Sequence, residues 1–297
     1  MENTRKFPLV LSSFWLKIIA LLTMTFDHIG FQIYYYNYEL SYVFRCIGRL
    51  ALPLFCFMIA EGAIHTKNFK KYALRLGIMA SLISVAIILL EVFPYFGSMR
   101  SQGIIFIDLL LGAVAIFCLR QKKWYLKLLA ILPIVYGVAS FIAHSLEVCG
   151  CHGEIWWIPY FMRSQYGWFA ILLIVFFYVA HLLTNLFLRY QSNLTGLPFE
   201  SYRDTNLERN ALNIISVAML ASASVLYYIC GKVMPSQYVD WDLEMQLLGG
   251  IISGAFILLY NGRRGYNKKW FQYGSYLYYP IHMVIIGLVF TLIELAA

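Results

Sequence analysis

The stretch that decides the fold of this chain is Leu16–Gly30, which reads LKIIALLTMTFDHIG. With its flanks it approaches the ~20 apolar residues that cross a bilayer as a helix. It also carries Lys17, Asp27 and His28, which are costly in lipid and usually face the interior of a helix bundle. The stretch lacks an obvious small-residue cleavage site, so we expect it to be retained as the first membrane span.

The composition of the whole chain agrees with a membrane protein. Of the 297 residues, 61% are hydrophobic and 13% are charged, whereas soluble domains have about 25% charged residues. This composition excludes a disordered chain, a collagen-like fibre, a coiled coil and an ordinary cytosolic enzyme. The net charge of +8 is expected of Lys and Arg gathered in cytoplasmic loops, so we predict no nucleic-acid partner.

Further apolar runs predict the fold class, an all-α polytopic membrane bundle of about nine (nine to ten) transmembrane helices in the lipid bilayer. The predicted spans are 16–36, 47–64, 73–93, 102–119, 126–144, 167–188, 210–230, 245–261 and 274–294. The aromatic-rich segment Ile155–Tyr166 is expected to lie at the interface or to re-enter, and a tenth element is possible there.

The basic loops fix the expected orientation. Lysines and arginines fall in alternate loops, so the positive-inside rule places the N-terminus in the cytoplasm and, after nine spans, the C-terminus outside. We treat 1–297 as one membrane domain. It comprises a six-span part at 1–188, a cytoplasmic linker loop at 189–209 and a three-span part at 210–297.

Lys17 and His28 form the first candidate site. They are eleven residues apart, which is three helical turns plus about 20°, so both lie on one stripe with about 16 Å between them. Lys17 is near the cytoplasmic end and His28 is past the midplane, an arrangement that suits a long anionic ligand with a reactive tip. The alternatives are a lysine that snorkels to phosphates and a histidine that bonds a neighbouring helix.

Other polar groups within or beside the spans extend this candidate site. Arg45 and Arg49, at helical spacing near the depth of His28, could hold an anionic acceptor, pair with Asp27 or simply anchor the outer interface. Lys71 and Arg75, together with Lys17, would form a basic inner rim that could bind phosphates or serve only as ordinary positive-inside anchoring. The remaining candidates are Glu61, His65, Asp108 and His282.

The cysteines give weaker signals. Cys149-Gly-Cys151-His152 lacks a second Cys or His pair, so we predict no metal site. On the outer side, Cys46, Cys149, Cys151 and Cys230 could form a disulfide in an oxidising compartment.

Several of these motifs together resemble the TraX family. The resemblance is carried by Leu16–Gly30, by Arg45-x-Ile-Gly-Arg-Leu-Ala-x-Pro53, by Glu61-Gly-x-x-His65-Thr-x-Asn68 with Arg75, and by Tyr278-Tyr-Pro-Ile-His282. It covers the first ~120 residues strongly and the last span moderately. TraX proteins are polytopic proteins named for acetylating the N-terminus of conjugative pilin, and they resemble more distantly the acyltransferase-3 and heparan glucosaminide acetyltransferase families.

The resemblance implies an enzyme of the bacterial cytoplasmic (inner) membrane that takes acetyl groups from acetyl-CoA. Acyltransferase-3 proteins carry an Arg, ten residues and a His in their first span, and Lys17 and His28 keep that spacing. The coenzyme phosphates would meet Lys17, Lys71 and Arg75, with His65 at the same rim. His28 would be the base, with Asp27 beside it, and the substrate-binding residues would be Arg45, Arg49, Glu61, Asp108 and His282.

The acceptor and the function class stay open at this point. A secreted or pilin-like peptide N-terminus, a glycan hydroxyl and a lipid head group all suit a site that faces outward. Two other classes remain as alternatives: a proton-coupled transporter or exporter that uses Asp27, His28 and Asp108 as a relay, and a non-catalytic membrane scaffold.

Overall fold

The structure is a computed structural model that describes residues 9–90, 103–148, 157–233 and 243–296. The described residues fold into a bundle of eleven α-helices. These are α1 (Ser13–Gln32), α2 (Tyr38–Gly48), α3 (Ala51–His65), α4 (Phe69–Leu90), α5 (Ile105–Leu119), α6 (Trp124–Leu128), α7 (Ile131–Val148), α8 (Trp168–Thr195), α9 (Asn206–Val233), α10 (Leu243–Leu258) and α11 (Lys269–Ala296).

Within the described residues, seven helical segments are long and apolar enough to cross a membrane. The pair α2–α3 counts as one segment, Tyr38–His65, and the pair α6–α7 as another, Trp124–Glu147. The shorter apolar helices α5 and α10 coincide with the predicted spans 102–119 and 245–261. Each of the nine predicted spans therefore coincides with a helix, and the predicted all-α polytopic membrane fold is confirmed.

Two segments differ from their sequence-based outline. The second span, predicted at 47–64, is the latter part of a longer apolar unit that begins at Tyr38, where the Asn37 side chain caps the helix by accepting from the Leu40 amide at 3.0 Å. The described part of Ile155–Tyr166 forms a short 3-10 turn, Tyr160–Met162, and otherwise irregular backbone. That part is therefore not a tenth spanning helix; it packs back into the helix bundle, and we call it the re-entrant segment in that sense.

The helix α3 lies at the centre of the bundle. In the segment Tyr38–His65, which contains α3, 61% of the most apolar 18-residue stretch is buried inside the bundle. The corresponding share for α9 is 22%. Phe57 of α3 packs edge-on against Phe177 of α8 at 5.2 Å and against Tyr260, after α10, at 5.3 Å. Residues on α3 are therefore surrounded by protein, so a polar group there must find its partner on another helix.

The first and last helices run parallel. The chain before α1 follows the chain before α11, because Leu11 donates to the Leu259 carbonyl and Ser13 to the Arg263 carbonyl, both at 2.9 Å. Farther along, Thr25 meets Tyr278 at 2.6 Å. The predicted topology of nine alternating crossings would likewise make the first and ninth spans parallel. The arrangement places corresponding levels of α1 and α11 side by side.

Some sequence predictions fall on residues that are not described. Cys149, Cys151 and His152 lie outside the described residues, whereas Cys46 and Cys230 form no disulfide with any described cysteine. The linker predicted at 189–209 begins inside α8, which continues to Thr195, and ends inside α9.

Candidate active site

The predicted stripe of α1 forms one wall of a pocket. Leu21, Met24 and His28 line it, at the same helical spacing that continues down to Lys17. The pocket outlines about 570 Å³ of space between the atoms, part of which is open to the surroundings. Its other walls come from α3, α5, α11 and the re-entrant segment, and the lining residues there include Ala51, Leu52, Phe55, Ile105, Phe106, Leu109, Gln165, Tyr166, Ser275 and Tyr279.

His28 is joined to the last helix by a chain of hydrogen bonds. Its Nδ1 lies 2.7 Å from Nε2 of His282, and Nδ1 of His282 lies 2.7 Å from the Tyr278 carbonyl oxygen. The two imidazole rings are stacked, with centroids 4.9 Å apart. Burying two histidines together in this way leaves each with a hydrogen-bond partner, as lipid-embedded polar groups require.

This chain assigns the protons in the neutral pair. A carbonyl oxygen only accepts, so Nδ1 of His282 carries the proton and its Nε2 is an acceptor. Nδ1 of His28 must then be the donor, which leaves the lone pair on Nε2 of His28. Within the described residues that nitrogen makes no hydrogen bond, and its residue lines the pocket. A base is therefore held at the pocket wall.

Asp27 is paired with Arg49 and not with His28. Arg49 Nη1 lies 3.5 Å from Asp27 Oδ2, and both residues are mostly buried. The helices meet closely here, because a Cβ on Gly48 would overlap the side chain and Cα of Asp27. Asp27 Oδ1 is buried and has no hydrogen-bond partner within the described residues. Asp27 therefore lines the pocket as the ion-pair partner of Arg49, while His282 orients His28.

Arg45 is the second arginine of the predicted outer pair. It is buried on α2, with its guanidinium 5.6 Å from the centroid of the Phe31 ring. Its side chain packs against Gly30 of α1, where a Cβ would touch both Phe44 and Arg45. Arg45 is therefore near the pocket but is not among the residues that line it.

The re-entrant segment is anchored by Asp108 of α5, which is fully buried. Its carboxylate accepts from the Ser164 hydroxyl, from the Gln165 amide at 2.8 Å and from the Tyr166 amide at 3.4 Å. Irregular backbone at membrane depth is tolerated only where protein satisfies its polar groups or where it lines a cavity. Asp108 does the first, and it thereby fixes Gln165 and Tyr166 at the pocket wall.

A second anchor, at the C-terminal end of α7, holds the same segment. Arg163, which is 1% exposed, donates to both oxygens of Glu147 at 2.5 and 2.6 Å and to the Ile158 carbonyl at 3.0 Å. Gly103 and Gly167 flank the segment with positive φ and press against its backbone and against α7. The segment is thus a rigid part of the bundle.

The predicted inner rim is only partly gathered at the pocket. The Lys17 ammonium lies 5.6 Å from the centroid of the Phe271 ring on α11, and Arg75 lies within electrostatic range of Tyr276 on the same helix. These two cations flank the first half of α11, in which no residue before Pro280 is fully buried. Lys71 is exposed, and its carbonyl accepts from Arg75 Nε at 3.3 Å.

Glu61 and His65 belong to a separate polar cluster. Glu61 accepts from His181 of α8 at 2.6 Å and lies 3.6 Å from Arg209 of α9. His65 is exposed; its Nδ1 lies 2.9 Å from the Glu61 carbonyl oxygen, and its ring is edge-on to that of His181 at 5.9 Å. None of these residues lines the pocket.

Sequence reasoning did not single out several residues of these sites. His181 is an ionisable residue inside the predicted span 167–188, so the rule that such groups are functional or paired would have found it. Tyr166 was quoted only as the end of a segment, and no sequence signal distinguishes it among 23 tyrosines. Within the described residues, no group of three or more His, Cys, Asp or Glu side chains is arranged to hold a metal ion.

Comparisons with known proteins extend the sequence resemblance. A family model described as TraX protein matches residues 12–290 of the chain. A curated relative, the probable fimbrial assembly protein FimC, serogroup H1, of Dichelobacter nodosus, is 41% identical over 68 residues, which is 22% of this chain. The matched part spans 27% of that relative's length. No solved structure matches the chain.

Proposed function

The chain belongs to the TraX family, and from this premise we propose that it is a membrane acyltransferase. It would move an acetyl group from cytoplasmic acetyl-CoA to an amine or hydroxyl acceptor at the outer side of the membrane. The observation that carries the proposal is the hydrogen-bonded chain from Tyr278 through His282 to His28, which leaves an imidazole lone pair at the wall of a pocket.

In the proposed reaction His28 transfers a proton twice, first accepting it from the acceptor and then donating it to the leaving thiolate. The acceptor nitrogen or oxygen attacks the thioester carbonyl carbon as Nε2 of His28 takes its proton, and the carbonyl oxygen becomes an oxyanion. The C–S bond then breaks, and the thiolate leaves with the proton from the His28 imidazolium. During the charged interval Nδ1 of His28 still donates to His282, so the ring keeps its orientation.

The donor is expected to enter from the side of Lys17. The pocket wall from His28 through Met24 and Leu21 is apolar and continues along the stripe to Lys17, which suits an uncharged pantetheine arm with its phosphates at the inner end. Lys17 and Arg75 flank α11 there and supply point charges for phosphate. Lys71 is close to Arg75, whereas His65 lies with the Glu61 cluster and has the weakest claim to a coenzyme contact.

The acceptor site is proposed at the other end of the same pocket. Asp27 lines the pocket there and Arg49 lies beside it, so an uncharged acceptor amine can donate to the carboxylate and an anionic group of the acceptor can meet Arg49. A secreted or pilin-like peptide N-terminus is supported by the family's name-giving activity and by a relative named for fimbrial assembly. Glycan hydroxyls and lipid head groups remain candidate acceptors.

The experiment uses the whole protein in vesicles with radiolabelled acetyl-CoA. Three acceptors are offered in parallel: a synthetic peptide with a free N-terminus, a sugar glycoside, and phosphatidylethanolamine within the vesicle. Wild type is compared with His28→Ala and with His144→Gln, a matched histidine replacement on α7 that does not line the pocket. We expect labelled acceptor from wild type and His144→Gln, and a loss of about 10²–10⁴-fold for His28→Ala.

The same vesicles separate the alternative functions. Equal turnover in His28→Ala and wild type would refute the role of His28, and proton uptake without acetyl transfer would favour a transporter. The relay of Asp27, His28 and Asp108 has little structural support, because Asp108 is occupied by three donors and is fully buried.

A further inference from the structure

The acyltransferase chemistry requires a group that the base does not supply. When the thioester carbonyl is attacked, its oxygen gains negative charge, and hydrogen-bond donors aimed at that oxygen are often the largest contribution to catalysis. His28 Nε2 and Asp27 are acceptors in the neutral pocket, and Ser275 donates to the Phe271 carbonyl at 2.6 Å. The donor must therefore come from another lining residue.

A census of the lining side chains leaves few candidates. Of the residues that line the pocket, Gln165, Tyr166 and Tyr279 carry donor side chains that make no hydrogen bond within the described residues. Two of these three are consecutive and lie on the re-entrant segment. The third, Tyr279, lies on α11 beside Pro280, with its ring edge-on to Phe106 at 5.6 Å.

The re-entrant segment is the more rigid of the two positions. The Tyr166 backbone amide is held by Asp108, the Ser164 amide donates to the Ser140 hydroxyl at 2.8 Å, and the Ile104 amide donates to the Arg163 carbonyl at 2.8 Å. By contrast, the half of α11 that carries Tyr279 has no fully buried residue. Donors stabilise a transition state most when they are already fixed in place, because no reorganisation is then needed.

We propose that the hydroxyl of Tyr166 donates the hydrogen bond that stabilises the oxyanion, and that Asp108 is the positioning residue that holds Tyr166 there. This inference rests on the proposed acyl transfer. It assigns a chemical role to the re-entrant segment, and it explains why the fully buried Asp108 carboxylate accepts hydrogen bonds from the backbone amides of that segment. Gln165, next to Tyr166, is placed to add a second donor.

The test is the change Tyr166→Phe, which removes one hydroxyl and keeps the ring. CoA release from acetyl-CoA is measured in vesicles with the peptide acceptor. We expect kcat to fall about 10²–10³-fold, as for the loss of one oxyanion donor, while KM for acetyl-CoA stays within about twofold. Tyr136→Phe is the structural control, because Tyr136 donates to the Met162 carbonyl at 2.7 Å and supports the same segment without lining the pocket.

A double-mutant cycle tests the positioning role. If Asp108 acts through Tyr166, Asp108→Asn lowers kcat, and adding Tyr166→Phe to it costs far less than in the wild-type background. Additive losses would overturn that role. Should Asp108→Asn fail to fold, Tyr166→Phe alone still decides the main assignment.

The outcomes separate this inference from the proposed function. If His28→Ala is inactive but Tyr166→Phe keeps wild-type kcat, the oxyanion assignment is refuted and the acyltransferase function stands. A kcat loss confined to Tyr279→Phe would likewise refute it and move the donor to α11. If His28→Ala itself keeps wild-type turnover, the proposed function fails first.

Discussion

Replacing His282 by Leu would test the proton assignment in the histidine pair. The change removes the acceptor Nε2, which lies 2.7 Å from His28 Nδ1, and puts an apolar side chain of moderate size in its buried position. His28 then has no partner that fixes its tautomer or its ring orientation. Its catalytic lone pair would still exist, but in only part of the population.

The size of the effect follows from the one hydrogen bond lost. A neutral hydrogen bond contributes about 0.5–1.5 kcal/mol net, and 1.4 kcal/mol corresponds to tenfold. We therefore expect His282→Leu to lower kcat by up to about tenfold, well short of the 10²–10⁴-fold expected for the loss of a general base. The unpartnered Nδ1 of His28 should also destabilise the fold by about 1–3 kcal/mol.

The assay is kcat for acetyl transfer in vesicles for His282→Leu, His28→Ala and the double variant, with thermal unfolding of each. The double variant should be no slower than His28→Ala, since His282 acts through His28. A loss in His282→Leu as large as in His28→Ala would refute the reasoning, because His282 would then be a reacting group itself. Wild-type kcat in His282→Leu would refute it from the other side.

Two further predictions concern stability. Gly48→Ala should destabilise the protein by about 1–3 kcal/mol, because the added Cβ would overlap Asp27. Gly274→Ala, whose Cβ would have nothing within 4 Å, should be neutral or stabilise the protein by up to about 1 kcal/mol. Equal shifts of the melting temperature in the two variants would contradict this contrast. Glu61→Gln should lower the free energy of unfolding by about 3–5 kcal/mol, because Arg209 loses its carboxylate partner. Lys232→Ala, which breaks an exposed ion pair with Glu244, should lower it by only about 0–1 kcal/mol. Matching denaturation curves for the two variants would show that the Glu61 cluster does not stabilise the fold.

The helical stripe was predictable from sequence because it is a property of one helix. Lys17, Leu21, Met24 and His28 are spaced by whole turns, and the backbone geometry of an α-helix puts them on one face without reference to any other part of the chain. The structure confirms the face, since the middle members and His28 line the pocket.

The partners of the polar groups were not predictable in this way. Each ionisable residue in a span needs a partner, but the sequence does not say which helix supplies it. His28 bonds His282, which is 254 residues away, and not the adjacent Asp27, because neighbouring residues on a helix point about 100° apart. Asp108 accepts from the Ser164 hydroxyl and the Gln165 amide, and no sequence pattern predicted these partners.

What the sequence by itself determined is the class of the molecule, an all-α polytopic membrane bundle, together with the positions of the helical spans and the polar face of the first one. These follow from composition and helical period, which are local quantities. What only the tertiary structure decided is which polar faces meet, and hence the histidine pair, the pocket and the Tyr166 segment. In lipid, partner choice is set by which helices pack together, because any satisfied pairing removes most of the burial cost of a polar group.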